Sequence, residues 1–148
     1  MHMASRDSGE IDKTQITLDS TLESVDEAEA IAMREAKKMG FEEEDQAQIG
    51  MAVREWTVNA VVHGNRYSNK KKVHMEIERG KESLAFVIGD EGEGFDPSSI
   101  PDPLAPENLL RQSGRGILLV RAFMDEFDIH PRPGGGTEAR MVKNFPKS

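Results

Sequence analysis

Glu55-Trp56-Thr57-Val58-Asn59-Ala60-Val61-Val62-His63-Gly64 is the stretch from which the rest of this chain can be read. Upstream and within it, Ile49, Val53, Trp56 and Ala60 recur at three- and four-residue spacing. A helix that begins at the acidic run Glu42 to Asp45 therefore carries one buried stripe through the stretch and closes on Gly64. Glu55 and Asn59 lie one turn apart on the edge of that stripe, where a helix can meet both the core and a ligand. Three blocks follow in order: Asp90-Glu91-Gly92-Glu93-Gly94-Phe95-Asp96, then Gly114-Arg115-Gly116, then Gly136-Thr137.

Outward from these blocks the pattern alternates between strands and helices. Thr14, Ile16 and Leu18 predict a short strand over Lys13 to Asp19, with Ser20 or Thr21 capping a helix. Val25, Ala28, Ala32, Ala36 and Met39 form that helix's buried stripe, and Gly40 is its left-handed stop. Lys70-Lys71-Lys72 reads first as a solvated turn, with a phosphate or partner contact as the alternative. Val73, Met75 and Ile77 alternate with His74, Glu76 and Glu78, as in a half-exposed antiparallel strand, which turns at Arg79-Gly80-Lys81-Glu82. The return strand carries Leu84, Phe86 and Ile88 on one face and Ala85 and Val87 on the other, which marks it as central. Four prolines between Pro97 and Ser113 exclude regular structure, and a loop that long between two motif blocks reads as a lid. Gly116 to Met124 is apolar and helical, Phe127 to His130 a short strand, and Gly134-Gly135-Gly136 a turn into a last strand, Thr137 to Phe145.

Size and composition bound the class. A chain of 148 residues suits one domain, over 11–148, and residues 1–10 read as a disordered or tag-derived tail. The absence of cysteine excludes a disulfide framework, and no apolar run reaches the roughly 20 residues that span a bilayer. The expectation is a cytoplasmic protein. Twenty-seven acids against nineteen Lys and Arg give a net charge of −8, which disfavours nucleic acid and anionic membrane as partners.

Each block meets a different need of a bound Mg-nucleotide. Mg²⁺ prefers oxygen ligands and keeps waters and phosphates, so one side-chain oxygen from Asn59 suits it. Glu55 beside it can accept a proton from an attacking hydroxyl; the competing reading is a surface acid and a helix-end amide. Asp90 at a strand end can accept the exocyclic amine hydrogen of adenine, where guanine presents a carbonyl, and Gly92 and Gly94 leave room for the purine or the turn. Gly114 and Gly116 admit phosphate to backbone amides at a helix start. Arg115 adds a positive charge for the γ-phosphate, unless it pairs with a surface acid. Thr137 can place a hydroxyl near phosphate or base, though a hairpin turn explains Gly136-Thr137 as well. No Walker-type phosphate loop, dinucleotide fingerprint or His-Arg-Asp catalytic loop is present, and His63 reads as a packing residue.

Taken together, Glu55-x-x-x-Asn59-Ala60-x-x-His63-Gly64, Asp90-x-Gly92-x-Gly94, Gly114-Arg115-Gly116 and Gly136-Thr137 resemble the N box, the two glycine boxes and the last motif of the GHKL (Bergerat) ATPases. The Pro-rich lid and the run Gly114 to Asp125 resemble those of the anti-sigma factor serine/threonine kinases of bacterial partner switching. The resemblance implies a two-layer α/β sandwich: a mainly antiparallel mixed sheet, helices on one face and an ATP lid. It implies ATP and Mg²⁺, phosphorylation of a STAS-domain antagonist, binding of a sigma factor or similar target, and a homodimer. Carried over by position, Glu55 is the base and Asn59 the metal ligand, while Asp90 reads adenine. Gly92, Gly94, Gly114 and Gly116 are backbone contacts, and Arg115 touches phosphate. The alternative is a module that binds ATP to hold a partner without phosphotransfer.

Overall fold

A computed structural model describes residues 12–93 and 116–146. Five strands form one sheet: β1 (Asp12–Asp19), β2 (Lys72–Arg79), β3 (Ser83–Gly89), β4 (Glu126–Pro131) and β5 (Thr137–Asn144). Their order is β1-β2-β3-β5-β4, and every pairing is antiparallel, so no parallel pair makes the described sheet mixed. Helices α1 (Leu22–Met39), α2 (Glu43–Val58) and α3 (Gly116–Phe123) contribute to a single hydrophobic core with the sheet. None of the described helices is long and apolar enough to cross a membrane.

The layering follows from the two periods in the sequence. Val73, Met75 and Ile77 of β2 and Leu84, Phe86 and Ile88 of β3 are buried toward the helices, and Ile49, Val53 and Trp56 of α2 meet them. Full burial of such side chains is worth about 1.5–3 kcal/mol each. As expected, β3 is the middle strand, and it also buries Ala85 on its outer face.

Helix α1 starts on Thr21, whose hydroxyl accepts from Ser24 N. It stops at Gly40 with φ +98°, where Gly40 N donates to Lys37 O and Phe41 N to Ala36 O. Its Glu35 is buried, at 6% exposure, against Arg79 of β2 across a 2.7 Å bond from Nε, and Arg79 Nη1 also donates to Thr14. This ion pair ties α1 to two strands.

Helix α2 runs on beyond Val58 through a π-helical turn, Asn59–Gly64, before the chain bends away. It thus ends at Gly64 as the sequence implies, but Gly64 is not a left-handed stop. The left-handed residues come afterwards, at Arg66 (φ 52°) and Tyr67 (φ 59°).

Candidate functional site

The π-helical turn delivers the end of the Glu55 block against the end of β3, and this contact builds one wall of the site. Asp90 follows β3 directly and is buried to 5% exposure. Its Oδ1 accepts from Gly92 N at 2.9 Å and Thr137 N at 3.2 Å, and its own amide donates to Thr137 O at 2.9 Å. Three glycines fit around this residue. A β-carbon on Gly64 would run into Asp90 Oδ2, one on Gly92 into Gly64 O, and one on Gly136 into the Asp90 carbonyl. Gly136 moreover has φ +99°, which other residues rarely adopt. Close backbone approach, more than turn formation, is thus why glycine occupies 64 and 92.

Among the described residues both hydrogen bonds to the Asp90 carboxylate fall on Oδ1, from two backbone amides, and none falls on Oδ2. One half of the carboxylate is structural and the other half is left as an acceptor. Burial pushes the Asp90 carboxyl above its ordinary range; the amides of Gly92 and Thr137, with the charges of Arg132 and Lys71, oppose that push without cancelling it. Arg132 lies across Gly89, where a β-carbon would meet its Cδ, and its Nη1 donates to Gly135 O.

Glu55 and Asn59 are half-buried on the edge of α2 and its π-helical extension. Asn59 N donates to Glu55 O and Trp56 O, so the two residues are stacked one turn apart as the sequence implies. Neither side chain hydrogen-bonds another described residue. A π-helical turn at this point widens the helix where the edge meets the site, a common location for such turns. Gly116 opens α3 and is buried, and Thr137 opens β5. The structure therefore unites Gly64, Asp90, Gly92, Gly136 and Thr137 around one carboxylate. Gly94, Gly114 and Arg115 and the lid from Pro97 to Ser113 lie outside the described residues.

Two groups beside Asp90 escaped the sequence reading. Asn65, directly after Gly64, is buried at 1% exposure, and its Oδ1 accepts from Glu91 N at 2.7 Å. Glu91 in turn accepts from Lys72 N and pairs with His74 Nε2 at 2.6 Å. His74 and the Lys72 amide hold the Glu91 carboxyl below its ordinary range. An asparagine after a helix end and a histidine on an alternating strand look like loop and surface until their partners are known.

The family profile described as histidine kinase-like ATPase domain matches residues 18–143 of this chain. The chain belongs to that family. The match takes in every motif block, from the Glu55 block to Gly136-Thr137. Among individual relatives, the anti-sigma F factor of Oceanobacillus iheyensis is 31% identical over 105 residues, which cover 68% of this chain and 70% of the relative. The serine-protein kinase RsbW of the same organism is 30% identical, over 67% of this chain and 66% of the relative. The serine/threonine-protein kinase RsbT of Bacillus subtilis is 32% identical over 114 residues, 73% of this chain and 79% of the relative. The resemblance read from the motifs thus extends over the body of the domain.

Proposed function

We propose that this chain is an ATP-dependent serine/threonine protein kinase that phosphorylates a STAS-domain antagonist and, in a partner switch, binds a sigma factor or an equivalent target. The observation that carries the reading is the half-committed carboxylate of Asp90. A buried acid with one oxygen saturated by backbone and the other unpartnered among the described residues suits the exocyclic amine of adenine and rejects the guanine carbonyl. The kinase names of relatives similar over two thirds of this chain support the same reading.

In this reading Asp90 holds the base, with Gly92, Gly94 and Thr137 around it, and Gly114, Arg115 and Gly116 take the phosphates at the start of α3. Asn59 would hold Mg²⁺, which when bound neutralises charge on the phosphates during transfer. Glu55 accepts the proton of the attacking hydroxyl. As the new bond forms between that oxygen and the γ-phosphorus, the bond to the β,γ-bridging oxygen breaks, and ADP leaves with that electron pair. Asn59 lies one turn from Glu55, so a metal held by its side chain would stand beside the base. The active species is proposed to be a homodimer located in the cytoplasm.

The test is to incubate the protein with MgATP and a STAS-domain protein encoded beside it. Mass spectrometry should find one phosphate added to a serine or threonine of the STAS protein. Tight ATP binding without any transferred phosphate would instead identify a module that uses nucleotide only to hold a partner.

A further inference from the structure

The chain turns out of the π-helical segment in an unusual way, and the residue it places there hydrogen-bonds the peptide that follows Asp90. Asn65 N donates to Ala60 O at 2.8 Å and Tyr67 N to Val61 O at 2.9 Å, while Arg66 and Tyr67 both take left-handed backbone conformations. Two consecutive non-glycine residues at positive φ are costly, and they persist only where surrounding contacts demand them. The contact served here is the buried amide of Asn65. Its Nδ2 donates to Ser20 Oγ and to Lys72 O, both at 2.9 Å, and its Oδ1 accepts from Glu91 N at 2.7 Å.

Lys72 O can only accept and Glu91 N can only donate, so the orientation of the amide is fixed by its partners. Ser20 is locked in turn, donating to Lys71 O at 2.6 Å. One side chain thereby joins the residue after β1, the start of β2 and the second residue after β3. Glu91 N belongs to the peptide bond that follows Asp90. The amide on the other side of Asp90 is held by Thr137 O. Between these two anchors the backbone of Asp90 has little freedom, and the direction of Oδ2, which has no partner among the described residues, is set accordingly.

We propose that Asn65 is a positioning residue for nucleotide selectivity: by holding Glu91 N it aims Asp90 Oδ2 at the exocyclic amine of adenine. The proposal rests on the reading of Asp90 as the adenine acceptor. No other side-chain oxygen among the described residues accepts from Glu91 N, so replacing Asn65 with an apolar residue of similar size leaves a part-buried donor unpaired next to Asp90.

The experiment is calorimetric titration of the purified protein with MgATP, MgGTP and Mg-tripolyphosphate, using Asn65→Leu, Asn65→Asp, Asp90→Asn and Glu35→Gln. Asn65→Leu should lower ATP affinity about tenfold, cut the preference for ATP over GTP by the same factor, and leave tripolyphosphate binding as in wild type. Asn65→Asp keeps the acceptor for Glu91 N and should keep the preference, although its thermal midpoint falls because a carboxylate then faces Lys72 O. Glu35→Gln, remote from the site, should fall in thermal midpoint with no change in preference.

A folded Asn65→Leu protein with wild-type preference would overturn the proposal. So would a folded Asn65→Asp protein that has lost the preference, which decides the matter if the leucine variant does not fold. Equal loss of preference in Glu35→Gln would reduce Asn65 to a stability effect and overturn it likewise. Asp90→Asn separates the two layers. If that variant keeps the preference, the adenine reading fails and takes the proposal with it. If it loses the preference while Asn65→Leu keeps it, only the role of Asn65 falls.

Discussion

The two ends of the site are built on opposite plans. At Asp90, three segments of chain converge within hydrogen-bond distance, three glycines are fitted closely around the residue, and one carboxylate oxygen has no hydrogen-bond partner among the described residues. At Glu55 and Asn59, two side chains stand half-exposed on a helix edge and touch no other described side chain through a hydrogen bond. The first end is preorganised by the protein, so under the proposed reading its contribution to binding is fixed before nucleotide arrives. In the proposed reading, the second end, with no hydrogen bond from these side chains to another described residue, leaves its oxygens to ligand and acceptor protein, as groups must be that act on reacting atoms. Selection of the base and transfer of the phosphoryl group should therefore separate under mutation.

The clearest separation should come from Glu55→Gln. We expect phosphotransfer to fall by about 10²- to 10⁴-fold with ATP affinity and thermal midpoint close to wild type, measured by transfer assay, calorimetry and thermal unfolding. Gly64→Ala should do the reverse. Its methyl group is driven against Asp90 Oδ2, so ATP affinity should fall more than about tenfold, and the loss should be visible by titration even before any transfer is assayed.

Asp90 also gives the preorganised end a pH signature. Its carboxyl is pushed up by burial, so its ionised form is disfavoured in the folded protein and weighs against stability once pH rises above the ordinary carboxylate range. Asp90→Asn should thus unfold at the same or a higher temperature than wild type at neutral pH while binding ATP more weakly. In wild type, ATP affinity should weaken as pH falls through the raised value, and Asp90→Asn should lack that component. A variant that lost both stability and binding would show that the carboxylate is a structural element alone.

Away from both ends, charge pairs should move stability and leave the site as it is. Arg79 beside Glu35 holds the Glu35 carboxyl below its ordinary value of 4.5, with burial opposing. The stability from this pair is therefore present above that value and is lost as pH drops through the folded one. Glu35→Gln should flatten this acid limb, and Glu35→Ala should cost about 2–3 kcal/mol by denaturant titration. That is the low side for a broken buried pair, because Arg79 keeps some solvent access. The smallest effect is expected at His130. Partial burial works against its charged form, but the carboxylates of Glu138 and Asp128 outweigh it and hold the ring above its ordinary value of 6.5. Its contribution is present below 6.5 and fades as pH rises through the folded value, so His130→Gln should remove a shallow slope in thermal midpoint on that side.

The same contrast separates what could be read from sequence and what could not. Alternation over Val73 to Ile77, the double-faced strand Leu84 to Ile88 and the stop at Gly40 are local signals, and each appears where expected. The edge placement of Glu55 and Asn59 follows from helical spacing alone. The preorganised end was legible only as a row of motifs. Gly64 looked like a helix stop because glycine so often is one, yet its reason is a contact with Asp90, on another element. Glu35 gave no hint of burial, since its partner Arg79 lies 44 residues away. Asn65 likewise needs three partners from three places in the chain before it is more than a loop residue.

Single-turnover phosphotransfer at saturating MgATP, compared between Asp90→Asn and Glu55→Gln, tests the division between the two ends. If base selection and chemistry are separate, the Asp90→Asn protein, once filled with nucleotide, transfers within a few-fold of the wild-type rate, and Glu55→Gln is slower by about two orders of magnitude or more. Wild-type transfer by Glu55→Gln would contradict the account, as would an Asp90→Asn protein that remains equally slow when its site is full.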